Sequence, residues 1–296
     1  MTPSEAQAYC AQVTQRSGSN FSYSFLFLPR DRREAMYTVY AFCKEVDSAV
    51  DDPAPGADPA DELAQWRDEL TACYRGTPSR PVTISLARHV KELGIPQRYF
   101  DELMNGVEMD LVFRRYATFK DLYQYCYRVA SVVGLICLHI FGTRAPEAKD
   151  YAINLGIAFQ LTNILRDVGN DADQGRVYLP QEDLRRFGYR EEELMHRRYT
   201  PNFTELMRFQ CARAEQYYAA ARRIVGSLPP GDRSSLTVSE IMRAVYVRIL
   251  GRIEASDYQV FGPRISLPPS YRLALAGGIW LRSWFPRSTQ APRSAP

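Results

Sequence analysis

Residues 41–52 read AFCKEVDSAVDD and residues 154–180 read NLGIAFQLTNILRDVGNDADQGRVYLP. Each stretch carries two aspartates four residues apart, Asp47 with Asp51 and Asp167 with Asp171. On a helix that spacing puts both carboxylates on one face, with Cβ atoms about 6 Å apart. Where the face points matters more than the spacing. On a wheel of about 100° per residue, Met36, Tyr40, Cys43 and Val50 fall within about 60° of Asp47, so the first pair prolongs a stripe expected to face inward. The second stretch is apolar nearly all round (Leu155, Ile157, Ala158, Leu161, Leu165), which is the pattern of a buried helix. Gln160, Asn163, Asp167 and Asp171 nevertheless form one polar stripe along it, with Gly156 behind them. Aspartate is rarely buried without compensation, so such a stripe is expected to wall a cavity.

A lone Asp-x-x-x-Asp is more often a solvated surface pair. Two of them on inward stripes reverse that reading. Facing carboxylates suit a hard cation such as magnesium, which takes oxygen ligands, keeps water, and is commonly completed by substrate phosphates. Two or three such ions, with manganese able to substitute, would turn four mutually repelling acids into a receptor for diphosphate.

Outward from these stretches the chain of 296 residues keeps helical periodicity throughout and shows no sustained strand alternation. A helix is expected from Leu28-Pro29 through Asp51, and Asp58-Pro59 or Asp61 can start the next one. Breaks are expected at Gly76 to Pro81, Gly94 to Pro96, Gly142 to Pro146, Gly188, and Leu228 to Gly231. The expectation is an all-α, single-domain bundle with a central cavity over residues 1–285, followed by a disordered tail at 286–296. Six cysteines without C-x-x-C spacing and three scattered histidines argue against a zinc site or a disulfide framework. A net charge of +3 is too near balance to suggest nucleic acid. No signal-peptide pattern opens the sequence, so the cytoplasm is the expected compartment. The apolar run from Val129 to Gly142 is shorter than the roughly 20 residues of a membrane span. Leu273 to Trp284 could rest on a membrane surface, although packing on the protein itself is the favoured reading. Arg128, inside an apolar run, needs an anionic partner or a route to solvent. Gly134 and Gly156 read as close helix contacts.

Three segments then carry a resemblance: FSYSFLFLPRDRREAMYTVYAFCKEVDSAVDD (21–52), YCYRVASVVGLICLHIFG (125–142) and GIAFQLTNILRDVGNDADQGRVYLP (156–180). They are similar to the squalene/phytoene synthase family, and the similarity runs from about Ser17 to Arg264. SFLFLP, the EMDL at Glu108 to Leu111 and NDADQGRVYLPQEDLRRFG look most like bacterial presqualene diphosphate synthases of the hopanoid/squalene pathway. The resemblance implies an isoprenoid synthase bundle that joins two farnesyl diphosphates head to head with release of pyrophosphate. Phytoene, dehydrosqualene or squalene synthesis is the alternative within the family. Matched residue by residue, it implies metal positions at Asp47, Asp51, Asn163, Asp167 and Asp171. Substrate positions are implied at Ser17, Gly18, Ser19, Asn20, Tyr40, Lys44, Gln160, Arg166, Tyr246 and Arg264. Tyr125 is implied as the residue that assists proton removal or steadies cationic intermediates. Lys44, Asn20 and Ser131 stand where the family usually has Arg, Ser and Gly. Loose membrane association and downstream squalene-pathway enzymes as partners also follow from the resemblance.

The chemistry is compatible with those roles. Aromatic faces such as Tyr40, Tyr125 and Phe159 stabilise an allylic cation by about 0.5–2 kcal/mol each, and water must be kept from it. No G-x-G-x-x-G fingerprint suggests NADPH. Chain-elongating prenyltransferases and terpene cyclases usually carry D-D-x-x-D, whereas this chain reads D-S-A-V-D-D. A catalytically silent helical assembly factor is the non-enzyme alternative, and retention of all four aspartates argues against it.

Overall fold

A computed structural model of the chain describes residues 1–18, 22–53, 55–112 and 114–284. Among the described residues there is no strand, only an isolated bridge between Arg115 and Val177. The helices begin and end where local chemistry allows. α1 (Pro3–Arg16) opens on a capping box between Thr2 and Glu5. α2 (Ser22–Phe25) is a single turn, and Pro29 stands at the N-cap of α3 (Arg30–Asp51). Asp58 caps α4 (Pro59–Arg75), accepting from the Ala60 N–H at 2.8 Å, and Gly76 closes it in the left-handed region.

α5 (Pro81–Leu93) is capped from a distance. Glu69 on α4 accepts from the Ser79 N–H at 2.6 Å, the Arg80 N–H at 2.8 Å and the Thr83 hydroxyl at 2.5 Å. Burial opposes the Glu69 charge, but these bonds prevail and hold its carboxyl at about 2.

α6 (Gln97–Val112) leads to a rod made of α7 (Phe119–Cys126), a π-helical turn (Tyr127–Ser131) and α8 (Val132–Phe141). The long α9 (Ala148–Asp173) follows. Then come α10 (Gln181–Arg186), α11 (Glu191–Met195), α12 (Pro201–Ser227), α13 (Pro230–Ser235), α14 (Thr237–Ala255) and α15 (Pro269–Trp284). α9 lies against α12, α14 and the rod, while α3 lies against α4, α5, α6 and α8. The rod therefore sits between the two helices that bear the aspartate pairs.

Glycines set how closely these helices approach. A Cβ on Gly156 would meet the Ser131 Cα at 2.4 Å, so α9 touches the backbone of the π-helical turn. Gly134 is less tightly placed: a Cβ there would lie 3.1 Å from the Ala152 carbonyl oxygen. Both are the close contacts expected of them. Arg128 resolves its problem at the rim, where it donates to Glu102 at 3.1 Å with both side chains partly exposed.

The rod from Phe119 to Phe141 is 23 residues long and its most apolar 18-residue window has a mean hydropathy of 1.3, enough by length and composition alone to cross a membrane. It is longer than the sequence suggested because α7 and α8 run on through the π-helical turn. Half of its most apolar window is buried inside the bundle, the position of a core helix. The tail expected from Pro286 lies outside the described residues.

Candidate active site

Two connected cavities open along α3, the rod and α9. The lower one, of about 300 Å³, is greasy: Phe25, Met36, Val39, Tyr40, Val133, Cys137, Leu138, Phe141, Leu155, Phe159 and Met242 are among its walls. The upper one, of about 430 Å³, is polar, and Asp47, Asp51, Asp167 and Asp171 all line it. Cys43, Asp47, Val129, Gln160 and Asn163 border both, so they mark the junction. The helix directions explain this order. Both pairs sit toward the C-terminal ends of α3 and α9, whereas Met36 and Tyr151 lie toward the opposite ends. From Asp167 to Tyr151 the axial drop is about 24 Å at 1.5 Å per residue.

The acids are not equivalent. Asp51 receives Arg176 at 2.8 Å. Asp167 is gripped by Arg166 at 2.9 and 2.6 Å and by Arg264 at 2.8 Å on each oxygen. Burial would raise the Asp167 carboxyl, yet these guanidiniums hold it below the usual range. Among the described residues, Asp47 and Asp171 have no salt bridge. Burial, then the charges of Asp51 and Asp110, push Asp47 up to about 7, with Lys44 pulling the other way. Burial and then the Asp167 charge bring Asp171 up to about 7. The accessible surface of Asp47 is lent by the chamber; the carboxyl itself lies within the body of the bundle.

The residues present fit divalent cations. The donors are oxygens throughout, and two carboxyls are raised by burial and then by neighbouring carboxylates. The Asn163 amide oxygen, at the junction, is buried without a hydrogen-bond partner among the described residues. Among the described residues no three His, Cys, Asp or Glu side chains gather into a ready cage. Oxygens from substrate and water would have to complete any coordination shell, which is how magnesium is commonly held.

Of the other anticipated residues, Tyr40 and Lys44 line the lower cavity, Gln160 borders both, and Arg166 and Arg264 line the upper one. Tyr246 is buried against Phe159, with ring centroids 4.6 Å apart, and bears on Arg166 and Asn163. Ser17 and Gly18 are not among the linings of either cavity; the Ser17 hydroxyl donates to the Thr14 carbonyl at 2.7 Å. Ser19 and Asn20 lie outside the described residues.

Three residues that sequence reasoning did not name as site residues join the chamber: Asp110, Arg176 and Tyr178. Asp110 accepts from the Tyr125 hydroxyl at 3.0 Å and the Tyr178 hydroxyl at 2.7 Å. Burial raises the Asp110 carboxyl, and burial followed by the Asp110 charge raises the Tyr125 phenol well above its ordinary value. Tyr125 is therefore a neutral donor. The Asp110 signal was available, because it lies three residues after Val107 and seven after Leu103 on the buried stripe of α6. Arg176 and Tyr178 sit in irregular chain after α9, where periodicity says nothing.

Such a bundle, with acidic pairs above an apolar cavity, has the isoprenoid synthase fold. The chain belongs to the squalene/phytoene synthase family, whose model matches residues 14–271. It is 35% identical over 280 residues to a phytoene synthase of Arthrospira platensis, covering 90% of each chain. It is also 35% identical over 292 residues to a 15-cis-phytoene synthase of Synechococcus elongatus, covering 95% of this chain and 94% of the relative. In structure it is similar to a dehydrosqualene synthase crystallised with ligand (TM-score 0.84, 28% identity, 95% of this chain and 98% of that one). It is likewise similar to the squalene synthase HpnC from Alicyclobacillus acidocaldarius (TM-score 0.78, 29% identity, 86% and 95%). The protein is thus an enzyme of the prenyltransferase kind, in a family that binds prenyl diphosphates and uses a divalent metal to ionise them.

Proposed function

We propose that the protein condenses two farnesyl diphosphates head to head into presqualene diphosphate. The observation that carries this reading is the single chamber shared by four aspartates from two helices, opening directly onto an aromatic-lined apolar cavity. Asp47, Asp51, Asn163, Asp167 and Asp171 would hold two or three magnesium ions, or manganese. When bound, the cations neutralise the charge that builds on the departing pyrophosphate.

The chain's own residues do the rest. Arg166, Arg176, Arg264 and Lys44 hold phosphate oxygens, with the arginines able to fork and Lys44 acting as a point charge. The C–O bond of one substrate breaks, and its electron pair leaves with pyrophosphate. The resulting allylic carbon bonds to the double bond of the second substrate, and a cyclopropane closes as a proton is lost. Tyr40 and Phe159 present ring faces to the cation, and the buried walls exclude water. Because Tyr125 is held neutral, it removes a proton by passing its own to Asp110, the acceptor already at 3.0 Å.

The C15 reading follows the resemblance of SFLFLP, EMDL and NDADQGRVYLPQEDLRRFG to presqualene diphosphate synthases. Met36, Phe141 and Tyr151, all buried, line the lower cavity, and the Tyr151 hydroxyl is fixed by donating to Glu240 at 2.9 Å. A second reading, phytoene from the C20 substrate, is favoured by the names of the 35%-identical relatives. We place the enzyme in the cytoplasm with peripheral membrane contact and downstream squalene-pathway partners.

Purified protein with magnesium should release pyrophosphate from farnesyl diphosphate and yield presqualene diphosphate by mass spectrometry, with or without NADPH. A C20-derived phytoene-type product would replace the first reading by the second. Absence of pyrophosphate release from both substrates would favour the silent assembly factor.

A further inference from the structure

We infer that Arg197 is a positioning residue for the substrate diphosphate: it pins the irregular chain before Arg264 onto α9, so that Arg264 is presented to the chamber. This rests on the reading that Arg264 holds a phosphate oxygen, and it is indifferent to the length of the prenyl chain.

The backbone points there first. Arg197 has a φ of 53°, in the left-handed region. It stands just past the last turn of α11, where its N–H donates to the Leu194 carbonyl at 2.8 Å and the Arg198 N–H donates to the Glu193 carbonyl at 2.9 Å. Glycine is the usual occupant of such a place, because it takes this conformation without strain. α10 ends on the same pair of bonds, from Gly188 to Arg185 and from Tyr189 to Leu184, and there the left-handed residue is Gly188. At the end of α11 an arginine bears the strain instead, which directs attention to what its side chain holds.

The guanidinium leaves its turn for two distant partners, Asp173 at the end of α9 and the Phe261 carbonyl at 3.1 Å. The ion pair, with side chains 43% and 57% exposed, is too solvated to add much stability. The carbonyl matters more. The Phe261 N–H donates to the Tyr199 hydroxyl at 2.8 Å, so one short loop takes both backbone polar groups of Phe261. The Phe261 ring stacks on Phe203 with centroids 4.8 Å apart. Beneath it Gly169 makes room: a Cβ there would lie 3.1 Å from the Phe261 Cα and 3.2 Å from the Val260 carbonyl oxygen.

These contacts decide where Arg264 starts from. Gly169 lies two residues past Asp167, and Arg264 three past Phe261. The segment is held again beyond Arg264, where Arg252 donates to the Ser266 carbonyl at 2.6 Å. Between these anchors the Arg264 side chain is 58% exposed, yet it reaches both oxygens of Asp167 at 2.8 Å. A fixed backbone and a free side chain are what a cation needs to pass from a carboxylate to a phosphate while staying over the chamber.

The test compares Arg197→Gly with Arg264→Ala in the full chain. Glycine relieves the left-handed strain as it removes the guanidinium, so the melting temperature should hold. KM for the prenyl diphosphate should rise by about three- to tenfold, the scale of one hydrogen bond between protein groups, with kcat near wild type. Manganese binding without substrate, by calorimetry, should tighten, because a loosened Arg264 competes less for Asp167. A general loosening of the site would weaken both. Arg197→Lys, a point charge that cannot fork between the two partners, should fall between wild type and Arg197→Gly. Tyr199→Phe removes only the other hold on Phe261 and should repeat the pattern. Arg197→Gly combined with Arg264→Ala should be no worse than Arg264→Ala alone, since effects that pass through one residue do not add. A wild-type KM in Arg197→Gly, weaker manganese binding, or additive losses in the double variant would overturn the inference. If Arg264→Ala itself leaves KM unchanged, the reading of Arg264 as a phosphate ligand fails, and the inference falls with it.

Discussion

On α3, among the described residues, Asp47 has no salt bridge and Asp51 is held by one arginine, Arg176, which is 13% exposed. On α9, Asp167 is held by two, one of which, Arg264, is 58% exposed and comes from irregular chain after α14. The two pairs share a spacing and a chamber, and each has one aspartate in salt bridges and one without among the described residues, but two guanidiniums hold Asp167 where one holds Asp51. Arg264 is the cation best placed to change partners, because a long, half-solvated side chain can leave a carboxylate for a phosphate with little loss of packing. The α3 pair, flanked by Lys44 and a buried guanidinium, offers a more rigid and more open seat for a metal ion.

Removing either pair's inner member is the severest way to break the comparison. Asp47→Ala or Asp167→Ala should cut turnover by about 10³-fold or more, the scale of losing a preorganised electrostatic group at the reacting bond. Circular dichroism should show the helical content unchanged, since neither side chain packs the core. A near-normal rate in either variant would mean that residue is not a metal ligand.

Next in size is the contrast between the arginines. Arg264→Ala should raise KM for the diphosphate by about tenfold to a hundredfold, the worth of one or two charged hydrogen bonds. Its melting temperature should barely move, because so exposed a pair adds little stability. Without substrate, the same variant should bind manganese severalfold more tightly by calorimetry, the ion no longer competing with a guanidinium for Asp167. Arg176→Gln should do the same at Asp51, but at some cost in stability because that side chain is mostly buried. Weaker manganese binding by Arg264→Ala in the absence of diphosphate would mean the arginine assists the metal, and the contrast drawn between the pairs would fail.

These residues also mark what periodicity can and cannot read. The aspartate pairs, the buried α9 and the break points were visible because a helix face is a sequence property. Asp110 was visible by the same test that exposed Asp47, its place on the stripe of Leu103 and Val107. Arg176 and Tyr178 were not, because they reach the chamber from irregular chain whose path only tertiary packing decides. The π-helical turn was likewise hidden. One inserted residue in a helix leaves no compositional trace, although its close neighbour Gly156, where a Cβ would meet the Ser131 Cα at 2.4 Å, was legible as a close contact. Glu69 capping α5 from α4 is a third such case, since a helix cap supplied by another helix obeys no local pattern.

The smallest effect concerns acidity and follows from the unlike company of the four acids. Asp47 and Asp171 are raised to about 7, so the folded protein binds more protons at these sites than the unfolded chain between pH ~4 and ~7. Their contribution is complete below the unfolded value and is lost as pH rises through about 7. Glu69, held at about 2, acts in the opposite sense: its contribution is present above the unfolded carboxylate value and is lost as pH falls toward 2. Asp167, lowered by its arginines, sides with Glu69. The metal-free protein should therefore melt highest at about pH 4–5, where the two windows meet. Asp47→Asn should flatten the decline above that optimum and leave the acid side alone. Magnesium should reverse the decline, because a cation favours ionised carboxylates, and its affinity should fall as pH drops through about 7. A metal-free melting temperature that climbs steadily from pH 6 to 8 would show that Asp47 and Asp171 are ionised at little cost, and that arginines elsewhere in the chamber already compensate them.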